Sequence, residues 1–149
     1  MLRTEPLARN MNLKNKPPVG FHLFGAFLFF GAALASLAGI TLVWRGTVLD
    51  RIWTLNAPAY RQLAPFGNLI GIPFLFLGAL MACAGTGWFR RRRWGWGLGV
   101  TIISIQGAGD LVNALRGEMI KGAFGFLIAG VLLIYLLRAQ VRGFFDVKV

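Results

Sequence analysis

The sequence predicts an all-α protein: a bundle of four transmembrane helices with both chain ends on one side of the membrane. Three observations predict it. Residues 21–44, 66–89, 94–115 and 119–137 are long apolar runs, and a hydrocarbon core of ~30 Å needs roughly 20 such residues at ~1.5 Å rise each. Only five of the 149 residues are acidic, and of these only Asp110 falls within a run. The basic residues, which bring the net charge to +11, gather in the connectors in an alternating pattern.

Residues 1–20 carry Pro6, Pro17 and Pro18, lack helical periodicity, and read as a flexible basic tail. The first run, 21–44, contains no Asp, Glu, Lys or Arg. Ala33-Leu34-Ala35 resembles a signal-peptide cleavage site, but the run continues to Trp44, longer than a signal core, which favours a retained span. Gly31, Ala35 and Gly39 lie four apart and give that helix a small-residue face for close packing.

The first connector is long and patterned. In VLDRIWTLN, Val48, Leu49, Ile52 and Trp53 recur at helical spacing while Asp50, Arg51 and Thr54 face away, and in APAYRQL Pro58 suits a first helical turn capped near Asn56 or Ala57. Two short amphipathic helices lying at the outer membrane surface satisfy both patterns and offer a partner surface or a lid.

The second run, 66–89, repeats the small-residue device at Gly67/Gly71 and Gly78/Ala82, with Pro73 between them as a kink or an open carbonyl. Cys83, alone in the chain, excludes an internal disulfide and packs as a small apolar residue. A tight hairpin follows, in which Arg90, Arg91, Arg92 and Arg93 are bracketed by Trp88, Phe89, Trp94 and Trp96. Aromatic rings beside a basic turn read as an anchor at headgroup depth that attracts anionic lipid on the cytoplasmic side.

The third run, 94–115, carries a polar stripe. Gln106, Asp110 and Asn113 are four and three apart, so they share one face of a helix, and an ionisable group inside a span faces protein or water in preference to lipid. Asp110 lies ~24 Å by helical rise from Trp94, in the outer third of the membrane. Three uses compete: pairing with Arg45, Arg51 or Arg116 while Gln106 and Asn113 bond neighbouring helices; lining an outward cavity for a cation, a proton or a small polar solute; or serving as counter-charge to a ligand or partner. Thr101 and Ser104, with Thr86 and Asn68 of the second run, are too few to continue a polar path across the membrane. The fourth run, 119–137, has one charge, Lys121, which can snorkel, and small residues at Gly125 and Ala129. Residues 139–149 read as a second basic tail.

With four spans, Arg3, Arg9, Lys14, Lys16, Arg90 to Arg93, Arg138, Arg142 and Lys148 share one side, against Arg45, Arg51, Arg61, Arg116 and Lys121 on the other. The positive-inside rule makes the first side cytoplasmic, with both termini there. The same rule accounts for the basic charge without nucleic acid.

At LDRIWTLNAPAYRQLAPFG, RRRRWGWGL and GDLVNAL the chain resembles a loose group of small bacterial four-span membrane proteins. The resemblance covers most of residues 21–138 and implies a four-helix bundle in a bacterial inner membrane, with no activity and no functional residue. Small multidrug transporters share the size and span count, but here the acidic residue lies in the third span, not the first.

No metal-ligand set, phosphate loop or nucleophile-base pairing is present, so no metal or cofactor is expected and catalysis is disfavoured. His22, alone at the cytoplasmic start of the first span, is a haem or pigment ligand only in a minor reading. The preferred expectation is a noncatalytic structural or accessory subunit, touching lipid, a larger membrane complex or further copies of itself. The rival is a small oligomeric transporter or channel that uses Asp110.

Overall fold

In hydrocarbon a chain must satisfy its backbone polar groups within itself, and each of the four apolar runs does so as a helix. The structure, a computed structural model, describes residues 17–117 and 119–145, without the side chains of Ile52 and Asn56. In chain order the elements are α1 (Phe21–Val43), a 3₁₀ helix (Val48–Asn56), α2 (Ala57–Leu63), a 3₁₀ turn (Ala64–Phe66), α3 (Asn68–Phe89), α4 (Arg93–Leu115), α5 (Met119–Leu137) and α6 (Ala139–Phe145). Helices α1, α3, α4 and α5 are long and apolar enough to cross a membrane, and they match the four expected runs to within two residues at every boundary. Most of the segment expected as an N-terminal tail lies outside the described residues.

The four long helices form two hairpins in place of a closed ring. Helix α1 packs along α3, α4 along α5, and α3 joins the pairs by packing on α4, while α1 and α5 make no comparable approach. Small residues set the first hairpin. A Cβ placed on Gly39 would lie 2.8 Å from the Gly71 carbonyl oxygen, and one on Gly78 would lie 3.1 Å from that of Ala32, so these backbones touch. In the second hairpin Gly122 meets the Asp110 carbonyl and Ala114 in the same way. The small-residue faces read from the sequence are thus largely consumed inside one protomer.

At the arginine end the chain reverses within a few residues. The Arg92 N–H donates to the Gly87 carbonyl at 2.9 Å and the Arg91 N–H to that of Trp88 at 3.0 Å, the paired bonds of a Schellman ending. Its left-handed position is held by Arg91 at φ 53°, where glycine is usual. The Arg91 guanidinium then lies 4.4 Å from the centre of the Phe144 ring, a cation-π contact that ties the turn to α6.

Beneath this turn sits the aromatic core. Trp88 is fully buried; its ring centre lies 5.2 Å from Phe21, 4.6 Å from Phe24 and 4.7 Å from Phe145, and its indole N–H donates to the Phe21 carbonyl at 2.8 Å. Phe144 and Phe145 belong to the segment expected as a basic tail. Through Phe145 that segment is instead a helix folded back on the core, because Val141, Phe144 and Phe145 fall three and four apart and form an apolar face that can be buried. Trp96, expected as a headgroup anchor, turns inward too, donating its indole N–H to the Leu136 carbonyl at 3.0 Å near the end of α5, where helical carbonyls lack partners. Trp94 is exposed.

The long connector covers the opposite end of the first hairpin. Trp53 donates to the Thr41 hydroxyl at 2.9 Å, that hydroxyl is 3.0 Å from the Leu37 and Ala38 carbonyls, and Arg45 donates to the Ala64 carbonyl. The apolar face read from the sequence is only partly turned inward: Trp53 packs on Tyr60, whereas Val48 is exposed. Asp50, read as facing away, accepts from the Gly46 N–H at 2.7 Å and closes the bend after α1. The connector packs against α1 and its own elements, so the loop end of α4 and α5 is left uncovered.

Candidate functional site

Two hairpins that meet along one seam leave a cleft on the other side. It has a volume of about 250 Å³ and runs between α1 and α5 over a floor of α3 and α4. Phe27, Leu77, Met81, Ile103 and Leu132 make its walls apolar, and polar groups enter at one end only, as Gln106 and Asp110.

The four-residue spacing of Gln106 and Asp110 places one above the other on α4, and the Gln106 amide nitrogen lies 3.4 Å from each Asp110 carboxylate oxygen. These are long contacts. Gly125 on α5 makes the room: a Cβ there would lie 2.6 Å from the Asp110 carboxyl carbon. Asp110 is half-buried, and Gln106 is the one side chain that hydrogen-bonds it among the described residues.

Of the predicted stripe, the structure brings Gln106 and Asp110 together at the cleft and leaves Asn113 exposed outside its lining. The expected pairing of Asp110 with Arg45, Arg51 or Arg116 does not occur among the described contacts. Arg45 is committed to the Ala64 carbonyl of the long connector, on the first hairpin. Nor do Gln106 and Asn113 bond neighbouring helices; Gln106 turns to Asp110 within its own helix. The hydroxyls of Thr101 and Thr86 go to backbone carbonyls of Gly97, at 3.0 Å, and Cys83, at 2.8 Å, and neither lines the cleft.

His22 is exposed at the arginine end, its ring 5.4 Å from Phe21 and 6.2 Å from Phe89, and it does not line the cleft. Arg90 to Arg93 are exposed around the turn. No group of three His, Cys, Asp or Glu side chains suited to a metal occurs among the described residues. Sequence reasoning raised an outward cavity at this stripe as one of three uses, but it did not find the apolar walls of the cleft or the part of Gly125 in it. The signal available was a small residue on the fourth span, but which helix it faces is set by tertiary packing.

These features define a class: an all-helical protein with four helices long and apolar enough to span a membrane, compatible with an integral membrane protein. Comparison with protein-family models, with curated proteins and with solved structures finds no match.

Proposed function

We propose that this chain is a noncatalytic protein of a bacterial inner membrane, an accessory subunit that packs beside a larger membrane complex. The observation that carries the reading is the outer face of α5. Ile120, Phe124, Leu127, Val131 and Ile134 alternate four and three apart, each 60 % to 88 % exposed, and form a straight stripe of large apolar side chains pointing away from the protomer. Helices α4 and α5 also bury a smaller share of their residues than α1 and α3, so the second hairpin has the more open flank. A photo-crosslinking residue at Leu127, in the native membrane, is expected to capture one discrete protein partner; capture of lipid alone would overturn the role.

The orientation belongs to the same proposal. Tyr135 lies close to Gly20, and Arg90 to Arg93, Arg138 and Arg142 share that end of the molecule, which supports placing it on the cytoplasmic side with anionic headgroups around it. In a Cys83→Ala background a membrane-impermeant maleimide is expected to label Leu55→Cys in intact spheroplasts, and Arg90→Cys only after permeabilisation. The reverse pattern would invert the topology.

A second reading draws on the cleft: a small oligomeric transporter or channel in which Asp110 binds the translocated ion. It must account for the lack of lining polar groups on the arginine side of Gln106. Asp110→Asn separates the two, because it leaves Leu127 crosslinking intact in an accessory subunit but abolishes cation-dependent flux into proteoliposomes if the protein is a transporter.

A further inference from the structure

We infer that the cleft between α1 and α5 is a binding site for a small organic cation with an apolar body, its charged head held at Asp110. This goes beyond the accessory role and does not depend on it.

The charge of the occupant follows from Asp110. It is the only acidic side chain in the four spans, it is half-buried at the cleft, and its described hydrogen-bond partner is a neutral amide at 3.4 Å. Of the arginines expected to pair with it, Arg45 is held by the Ala64 carbonyl on the other hairpin. A half-buried carboxylate with one long neutral contact gains most from a cation brought in from outside.

The chemistry of that cation follows from the walls. An inorganic cation is poorly served, because hard ions take about six oxygen ligands and only Gln106 and Asp110 supply side-chain oxygens here. An apolar body, by contrast, finds Phe27, Met81, Ile103 and Leu132 along the rest of the cleft. Size follows from the volume: about 250 Å³ is just below the ~300–1,000 Å³ of sites for drug-sized ligands, so a single ring or a short alkyl group carrying one charged head fills it. The path follows from the fold, since α1 and α5 are not packed together and an amphiphile can enter sideways from the bilayer without crossing a polar barrier.

Gly125 is part of the site. Its missing side chain is what lets the Asp110 carboxylate sit at the cleft, and a methyl group there would push the carboxylate aside.

The test uses the full chain in nanodiscs of zwitterionic lipid, with radiolabelled benzyltrimethylammonium as probe, a quaternary ammonium that cannot lose its charge. Saturable binding of one probe per chain is expected. It should weaken at least tenfold in Asp110→Asn and in Gly125→Ala, and neopentylbenzene, the uncharged isostere of the probe, should fail to compete at equal concentration. Thermal unfolding of each variant, followed by circular dichroism, checks that it is folded, and Leu132→Phe, at a partly buried wall position about two turns along α5 from Gly125, supplies a second variant expected to lose binding. Absence of saturable binding to the folded wild type, equal binding by Asp110→Asn, or equal competition by the neutral isostere would each overturn the inference. So would efficient disulfide formation between two copies carrying Ile128→Cys in a Cys83→Ala background, which would make the cleft an interface between protomers. None of these outcomes bears on Leu127 crosslinking, so failure here and failure of the accessory role are separable.

Discussion

Replacing Trp88 with alanine is expected to destabilise the protein more than any other single side-chain truncation, by about 3–5 kcal/mol, the usual range for removing a buried aromatic. From α3, Trp88 touches two other helices at once, through Phe21 and Phe24 of α1 and Phe145 of α6, while its indole N–H holds the Phe21 carbonyl at 2.8 Å. The arginine end is where both hairpins and α6 converge, so the loss falls on the joint of the whole fold. Trp88→Phe separates the two contributions. It keeps most of the packing and removes the hydrogen bond, so it is expected to cost about 1 kcal/mol for that bond plus a smaller packing loss. The measurement is the thermal or denaturant midpoint in mild detergent. If Trp88→Ala melts within a few degrees of wild type, the aromatic core does not join the hairpins.

The second large effect is expected at Gly95. Ideal Cβ geometry puts an added methyl 2.6 Å from both the Gly87 Cα and the Trp88 nitrogen, distances real carbon atoms essentially never reach. Both colliding groups are backbone, so no side chain can rotate away. Gly95→Ala should therefore exceed the ~1–3 kcal/mol typical of overpacking, and it should do so by opening the α3–α4 seam. Gly97, where an added Cβ meets nothing within 4 Å, is the control: Gly97→Ala is expected to be neutral or slightly stabilising, through the ~1 kcal/mol gain in helix propensity. Equal melting of the two variants would show that the seam is not set by this contact.

The four long helices were legible because the signal is carried by composition alone. Runs such as 21–44 and 66–89 contain no charge, and no packing detail is needed to know that they are helical if they cross a membrane. The hairpin at Arg90 to Arg93 was legible as a short connector, but not its left-handed Arg91, since nothing in four identical residues says which one turns. The roles of Trp88 and Trp96 were misread for a definite reason. A tryptophan beside a basic turn has the same sequence signature whether its ring lies among headgroups or under the turn, and only the fold-back of α6 and the end of α5 decides. That fold-back was itself obscured, because an apolar face of three residues on seven is too short to register against two arginines. At the site, the i, i+4 relation of Gln106 and Asp110 was legible from helical geometry, whereas the fate of Asn113 was not. Which of three side chains on one face reaches a cleft depends on where the neighbouring helix closes against it, and α5 meets the α4 backbone at Gly122, beside Asp110 and Ala114, while Asn113 stays outside the lining.

Two rods fastened near one tip behave as a lever. The fastening between the hairpins is the approach of Gly95 on α4 to the Gly87 and Trp88 backbone on α3, with the aromatic ring of Trp88 beneath it. A helix of 23 residues reaches ~34 Å from that fulcrum, so a rotation of about 5° there moves the far tip by roughly 3 Å. Leverage of that kind turns a small repacking among rings at one membrane face into a widening felt at the other.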